Sequence, residues 1–143
     1  AVLDTASLAS STLERPRDPQ AELCIRAGYL CLRRISAQFN IPFNEDPEPT
    51  DPISVSRADF DGVYDTLRDV GVKLKPDRDQ AWRDFAGWRV NYDAVLVALA
   101  VMTMAPPGYW SSDRVPHHRS LFTTPERAAR NAAAAAMSGR ALP

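Results

Sequence analysis

Residues 78–104 read RDQAWRDFAGWRVNYDAVLVALAVMTM, and they form the longest predicted helix of the chain. Large apolar side chains recur in it at steps of three and four, which is the spacing of one face of an α-helix. Asp77 precedes the stretch as an expected helix N-cap, and Pro106 and Pro107 stop the pattern. From Ala94 onward the segment is apolar almost all round, so we expect it to lie among several other helices. The stretch predicts a long central helix in an all-α domain.

Apolar periodicity predicts three further helices upstream of this one. They cover residues 1–13, residues 20–39 after the expected cap Asp18, and the segment between the capping-box residue Ser56 and Gly71. The second of them has a wide apolar stripe that we expect to be buried, made of Leu23, Cys24, Ala27, Gly28, Leu30, Cys31, Ile35 and Phe39. The fold class predicted from these patterns is a single-domain bundle of four or five helices.

Two segments depart from the helical pattern. Residues 40–55 form a proline-rich acidic loop that either wraps the surface, anchored by its apolar side chains, or moves freely. Residues 126–138 are rich in alanine and form either a helix packed on a neighbour or a frayed helix in solvent. We therefore interpret residues 1–114 as the helical core domain and residues 115–143 as a loop followed by an alanine-rich C-terminal helix or tail. The anchors expected in the acidic loop are Ile41, Phe43, Ile53 and Val55.

Charge and apolar run lengths exclude some classes of function. Seventeen Lys and Arg residues face eighteen Asp and Glu residues, a balance that provides no general field for binding nucleic acid. The longest apolar stretch, Ala94 to Pro107, is shorter than the ~20 residues that a membrane helix needs. The chain also begins without Met, so we expect a soluble domain cut from a longer protein.

The two cysteines predict a reducing compartment. Cys24 and Cys31 are seven residues apart in one predicted helix, which at about 1.5 Å per residue separates them by roughly 10 Å. That distance exceeds the ~7 Å limit for a disulfide. We interpret them as two small buried thiols of a cytoplasmic protein.

Motifs of catalysis and cofactor binding are missing from the sequence. No GxSxG, GxGxxG, Walker or HExxH pattern occurs, and no His lies near either cysteine. The pair His117-His118 lacks further ligands for zinc, and the acidic loop does not have the spacing of a calcium loop. We therefore expect no enzyme, no metal and no cofactor.

The densest group of functional side-chain types lies in residues 82–93. Arg89 falls on the apolar face, where it needs either a carboxylate partner or an anionic ligand. The simpler interpretation is structural, with core aromatics and an Arg89–Asp93 pair at helical spacing. Trp110, in the turn after the helix, either plugs the end of the bundle or anchors a partner. If this region binds a small ligand, the candidate residues are Asp84, Arg89, Tyr92 and Trp110.

The segment from Arg78 to Asp93 also carries a resemblance. Together with Met104–Pro107, Trp110–Arg114 and the opening residues Ala1–Thr5, it resembles the cytoplasmic C-terminal region of bacterial two-transmembrane potassium-channel-like proteins. The resemblance implies that a module of two membrane helices precedes this domain at the inner (plasma) membrane. It transfers no catalytic or ligand-binding residue.

Three hypotheses follow from the sequence. The first is a cytoplasmic regulatory or assembly domain of a channel-like membrane protein, which forms a homo-oligomer and has the upstream membrane segment as its partner. The second is a stand-alone helical module that binds a ligand or a protein, with a pocket near Arg89, Tyr92 and Trp110. The third, an enzyme, lacks any polar constellation in the sequence to support it.

Overall fold

The computed structural model describes residues 2–105, and they form an all-α domain, as predicted. The five helices of this range are α1 (Val2–Thr12), α2 (Pro19–Gln38), α3 (Arg57–Asp69), α4 (Arg78–Arg89) and α5 (Asp93–Met102). A single antiparallel bridge joins Leu13 and Leu74 next to α1. The predictions for Trp110, for His117-His118 and for residues 115–143 lie outside the described residues.

The predicted helix boundaries at Asp18, Ser56, Asp77 and Gly71 are confirmed. Asp18 Oδ1 accepts a hydrogen bond from the Gln20 backbone N–H at 3.0 Å, and Asp77 Oδ1 accepts one from Gln80 at 2.8 Å. Ser56 forms a complete capping box at the start of α3. Gly71 follows the end of α3 with a φ of 82°, a left-handed conformation that favours glycine. Local residue chemistry therefore sets these four helix ends.

The prediction of one long helix over residues 78–104 is wrong, because the segment breaks between α4 and α5 with a bend of 56°. The Asn91 side chain donates hydrogen bonds to the carbonyls of Gly87 and Trp88, at 2.9 and 3.3 Å. These carbonyls would accept from residues 91 and 92 in a continuous helix. The backbone N–H groups of Asn91 and Tyr92 bond instead three residues back, in a tighter turn. No single helix among residues 2–105 has the length and apolarity to cross a membrane, and only the bent pair α4 and α5 together passes that test.

Helix α1 lies at the centre of the arrangement and packs against both α2 and α4. Its N-terminal Asp4 contacts Arg89 at the end of α4, whereas its last turn lies beside Lys75, just before α4. The two helices are therefore antiparallel. The face that α1 buries is small and polar, consisting of Asp4, Ser7, Ser11 and Thr12.

The predicted buried stripe of α2 is also wrong in part. Ile25 and Ser36 are the buried residues of this helix, and Gly28 contacts the Leu3 side chain of α1. Leu23 and Leu30 are 60% and 52% exposed. The stripe faces outward because α1 packs on the Ile25 side of the helix. The two cysteines, predicted to be buried thiols, are both exposed as a consequence.

The acidic loop at residues 40–55 packs against the helices through its apolar anchors. Ile41 and Val55 are buried, and Phe43 and Ile53 are half-buried. Of the two possibilities left open by the sequence, the structure shows the loop wrapped on the surface. Its end joins the main aromatic core, which consists of Val55, Phe60, Tyr64, Ala81 and Phe85.

Candidate functional site

Arg89 is fully buried and binds two carboxylates at once. Its Nε donates to Asp93 Oδ1 at 2.6 Å, and its Nη1 donates to Asp4 Oδ1. Ser54, at the end of the acidic loop, donates to Asp93 through both its backbone N–H and its hydroxyl, at 2.7 and 2.6 Å. We call Asp4, Ser54, Arg89 and Asp93, with the adjoining Ser7 and Tyr92, the buried network. It joins α1, α4, α5 and the loop.

Tyr92 completes this network on the side of α1. Its hydroxyl lies 3.0 Å from Ser7 Oγ and donates to Asp4 Oδ1 at 3.3 Å. Burial, reinforced by the charge of Asp4, raises the pKa of Tyr92 far above its usual range. Burial alone would lower the pKa of Arg89, but the charges of Asp4 and Asp93 outweigh it and raise that pKa. Tyr92 therefore stays neutral and Arg89 stays charged near pH 7.

The buried network has a structural role, and its central residue Arg89 is inaccessible to a ligand. Arg89 has the carboxylate partners that its position on the apolar face requires, and it is 0% exposed. A cavity of about 240 Å³ between the acidic loop and the α4–α5 junction touches Tyr92 and Asp93, but Arg89 does not line it. Of the two partners considered for Arg89, a carboxylate or an anionic ligand, the structure shows carboxylates, those of Asp4 and Asp93.

Asp84 lies apart from these residues, in the wall of a larger cleft of about 720 Å³. The cleft opens between α2 and α4, and its remaining lining comes from the end of α1, the α1–α2 linker, Pro49, Lys75 and Asn91. The four candidate residues of the sequence therefore do not form one site: Arg89 and Tyr92 belong to the buried network, Asp84 belongs to the cleft, and Trp110 lies outside the described range.

The cleft has an excess of positive charge. Five basic and three acidic side chains line it. The acidic ones pair with neighbours, Arg17 with Glu22 at 2.5 Å, Arg15 with Asp18 at 3.7 Å, and Lys75 with Asp84 at 3.9 Å. The hydrogen bond from Arg17 lowers the pKa of Glu22, so this pair remains ionised at neutral pH. Arg26 and Arg83 are the two basic side chains that remain.

Neither of these arginines forms a direct ion pair among residues 2–105, although each lies one turn after a carboxylate that feels its charge, Arg26 after Glu22 and Arg83 after Asp79. Arg83 donates to the Gln80 side-chain oxygen at 2.8 Å, and Arg26 makes no side-chain hydrogen bond within that range. They stand on different helices, Arg26 on α2 and Arg83 on α4, and both line the cleft. The half-buried Trp88 lies one turn after Asp84 on the same wall. The sequence interpretation missed the cleft because its lining is contributed by segments far apart in the chain.

A second surface feature is the side of α2 that points away from α1. We call its exposed residues Leu23, Cys24, Ala27, Leu30 and Cys31 the outer face of α2. Exposed Arg26 lies one turn before Leu30 at the edge of this face, and exposed Arg34 lies one turn after Leu30. Large apolar side chains grouped on one exposed face of a helix are typical of an interaction surface.

Within the described part of the chain, no group of three or more His, Cys, Asp or Glu side chains is arranged to hold a metal ion. Comparisons with models of protein families, with curated proteins and with solved structures find no match to this chain.

Proposed function

We propose that this chain is an assembly domain, which pairs with a second copy of itself through the outer face of α2. The observation that carries the proposal is the exposure of Leu23 and Leu30 on a helix whose opposite side is packed. Removing apolar surface from water gives roughly 25 cal/mol per Å², so a second copy that covers this face is stabilised by the contact. Ala27 and the two cysteines are small, which permits close approach of two helices.

The parent protein in this proposal is a bacterial potassium-channel-like membrane protein, in which the domain is cytoplasmic and has a regulatory role. This context is supported by the resemblance of the segment Arg78–Asp93 described above. Symmetric contacts between such domains would bias the attached membrane helices between two states. The domain pair would then transmit its geometry to the membrane module.

The native cysteines provide a direct test of the pairing. In an antiparallel pair of α2 helices that crosses at Ala27, Cys24 of one copy lies close to Cys31 of the partner, since they stand three residues before and four residues after the crossing point. In a parallel pair, each cysteine meets its own counterpart. Exposed thiols at this spacing react with a mild oxidant once the two copies bring them together.

The experiment treats the wild-type chain, Cys24→Ser and Cys31→Ser with an oxidant and follows covalent dimers on non-reducing gels, with light scattering on the reduced proteins. We expect reduced dimers and a covalent dimer in the wild type. An antiparallel pair loses the covalent dimer in either single variant, and a parallel pair retains it in both. A reduced wild type that scatters as a monomer at high concentration would overturn the proposal.

The alternative function is a stand-alone module that binds a ligand. The cleft between α2 and α4 is the observation that favours it, and it does not depend on self-association.

A further inference from the structure

We propose that the cleft between α2 and α4 binds a small organic anion, whose phosphate or carboxylate group is held by Arg26 and Arg83 and whose planar ring stacks on Trp88. The cleft volume of about 720 Å³ falls in the range of roughly 300–1,000 Å³ that is usual for small-molecule sites. The inference goes beyond self-association, because Glu22, Arg26 and Tyr29 line the cleft and other residues of α2 form the outer face, with Arg26 at the border between the two.

The charge of the ligand follows from the ion pairs within the cleft. The acidic side chains of the lining form ion pairs with Arg15, Arg17 and Lys75, so Arg26 and Arg83 provide the net positive charge of the cleft. A guanidinium is planar and offers paired N–H donors that match the two oxygens of a carboxylate or phosphate. Because the two arginines stand on different helices, an anion between them contacts both walls of the cleft.

The planar ring follows from Trp88. Its side chain is half-buried, and no aromatic ring or cation among residues 2–105 stacks on it. Tyr29, the other aromatic of the lining, already carries the Arg33 guanidinium 4.9 Å from its ring centroid. A partly exposed tryptophan in the same cleft wall as Arg83 can bind the ring of an anionic ligand by stacking and dispersion.

Calorimetry with four compounds on the full chain tests whether the cleft prefers a phosphate or a carboxylate group. They are adenosine 5′-monophosphate, indole-3-acetate as an aromatic carboxylate, uncharged adenosine, and inorganic phosphate. We expect at least one of the two charged ring compounds to bind with a Kd below about 1 mM, and to bind more tightly than adenosine or inorganic phosphate. The tighter of the two identifies the phosphate or the carboxylate as the preferred group.

Variants test the three assigned residues. Arg26→Gln and Arg83→Gln each remove a charge-assisted hydrogen bond, so we expect each to raise the Kd about tenfold or more. Arg68→Gln is the matched control, since Arg68 is an exposed arginine of α3 that does not line the cleft. Trp88→Ala should weaken binding of the ring compounds and leave that of inorganic phosphate unchanged.

Three results would overturn the inference. They are a Kd above about 1 mM for both charged ring compounds, adenosine bound as tightly as its monophosphate, or Arg26→Gln and Arg83→Gln variants that bind like the Arg68→Gln control. All the altered side chains are partly or fully exposed, and circular dichroism verifies that each variant is folded. Light scattering on the same samples separates a failure of ligand binding from a failure of self-association.

Discussion

Arg89 is the residue on which the packing of four segments depends. It is held between Asp93 of its own helix end and Asp4 of α1, and Ser54 fixes Asp93 from the loop. Removing one partner of a buried ion pair leaves the other charges uncompensated, which costs more than the pair itself contributes. The network thus joins α1, α4, α5 and the acidic loop through buried polar contacts.

We expect Arg89→Met to lower the free energy of unfolding by about 3–5 kcal/mol, because Asp93 and Asp4 would each lose a buried charge-assisted hydrogen bond. Urea denaturation measures the loss. The matched control Arg68→Met changes an exposed arginine and should remain within about 0.5 kcal/mol of the wild type. A loss below about 1 kcal/mol for Arg89→Met would contradict the structural role of the network.

The raised pKa of Tyr92 predicts a loss of stability at high pH. Its pKa is raised by burial, whereas the unfolded chain has a tyrosine pKa of about 10. Its contribution to stability is therefore complete below pH ~10 and is lost as the pH rises toward the folded pKa, because the unfolded state releases its proton first. The slope from this one group is about 1.4 kcal/mol per pH unit.

Tyr92→Phe removes this group and should flatten the fall of stability above pH ~10, while it lowers stability at neutral pH through the lost hydrogen bonds. Urea denaturation of both proteins between neutral and alkaline pH measures the difference. Tyr64→Phe is the comparison variant, at a buried tyrosine whose hydroxyl donates to the backbone carbonyl of Lys75. Identical pH profiles for the wild type and Tyr92→Phe would disprove the assignment.

The sequence predicts only part of the buried network. An arginine on an apolar helix face indicates the need for a carboxylate, and Asp93 stands at the helical spacing that supplies one. Asp4 lies 85 residues away, and no spacing rule links it to Arg89. The role of Ser54 could not be predicted from the sequence either, because tertiary packing determines the path of a long loop.

At the scale of the elements, Gly28 controls how closely α1 approaches α2. A methyl group added at this position would overlap the Leu3 side chain. Gly→Ala in a helix otherwise stabilises by about 1 kcal/mol, since glycine has the greater backbone entropy to lose. The close contact and the helix propensity therefore act in opposite directions at Gly28.

A double-mutant cycle separates these two effects. We expect Gly28→Ala to be stabilising by up to about 1 kcal/mol in a Leu3→Ala background, and to be less favourable by at least about 0.5 kcal/mol in the wild type. Thermal and urea unfolding of the four proteins give the coupling free energy. Additive effects would show that Leu3 does not pack on Gly28.

The helices show where sequence patterns succeed and where they fail. Caps at Asp18, Ser56 and Asp77 are local chemistry, and all three are confirmed. The break after α4 has no sequence signal, because residues 90–92 contain neither Pro nor Gly and the apolar spacing continues across them. The Asn91 side chain holds the break through its bonds to two carbonyls, and Arg33 of α2 fixes Asn91 from outside the segment.

Helix α2 shows a different kind of failure. It has apolar side chains on two sides, with Ile25, Tyr29 and Leu32 on one and the outer face on the other. Periodicity detects both and does not say which is buried. The buried side is the one on which Leu3 of α1 packs against Gly28. Leu23 and Leu30 lie on the other side and remain exposed.

On the scale of the whole molecule, α2 separates two surfaces with different chemistry. Its outer face is apolar, and the side that carries Glu22, Arg26 and Tyr29 lines the charged cleft. Arg26 lies at the border of the two surfaces. If self-association and anion binding are coupled, α2 is the element that both events share.

Leu30 and Ile25 are branched apolar residues on opposite sides of α2. Leu30→Ser exposes no core, since Leu30 is 52% exposed, and it should change the free energy of unfolding of the monomer by less than about 1 kcal/mol. The same substitution at the fully buried Ile25 should cost about 3 kcal/mol or more. Only Leu30→Ser should weaken self-association without unfolding the chain. Sedimentation and urea denaturation of both variants measure the two quantities, and a Leu30→Ser protein that is strongly destabilised as a monomer would mean that the outer face belongs to the core of the single chain.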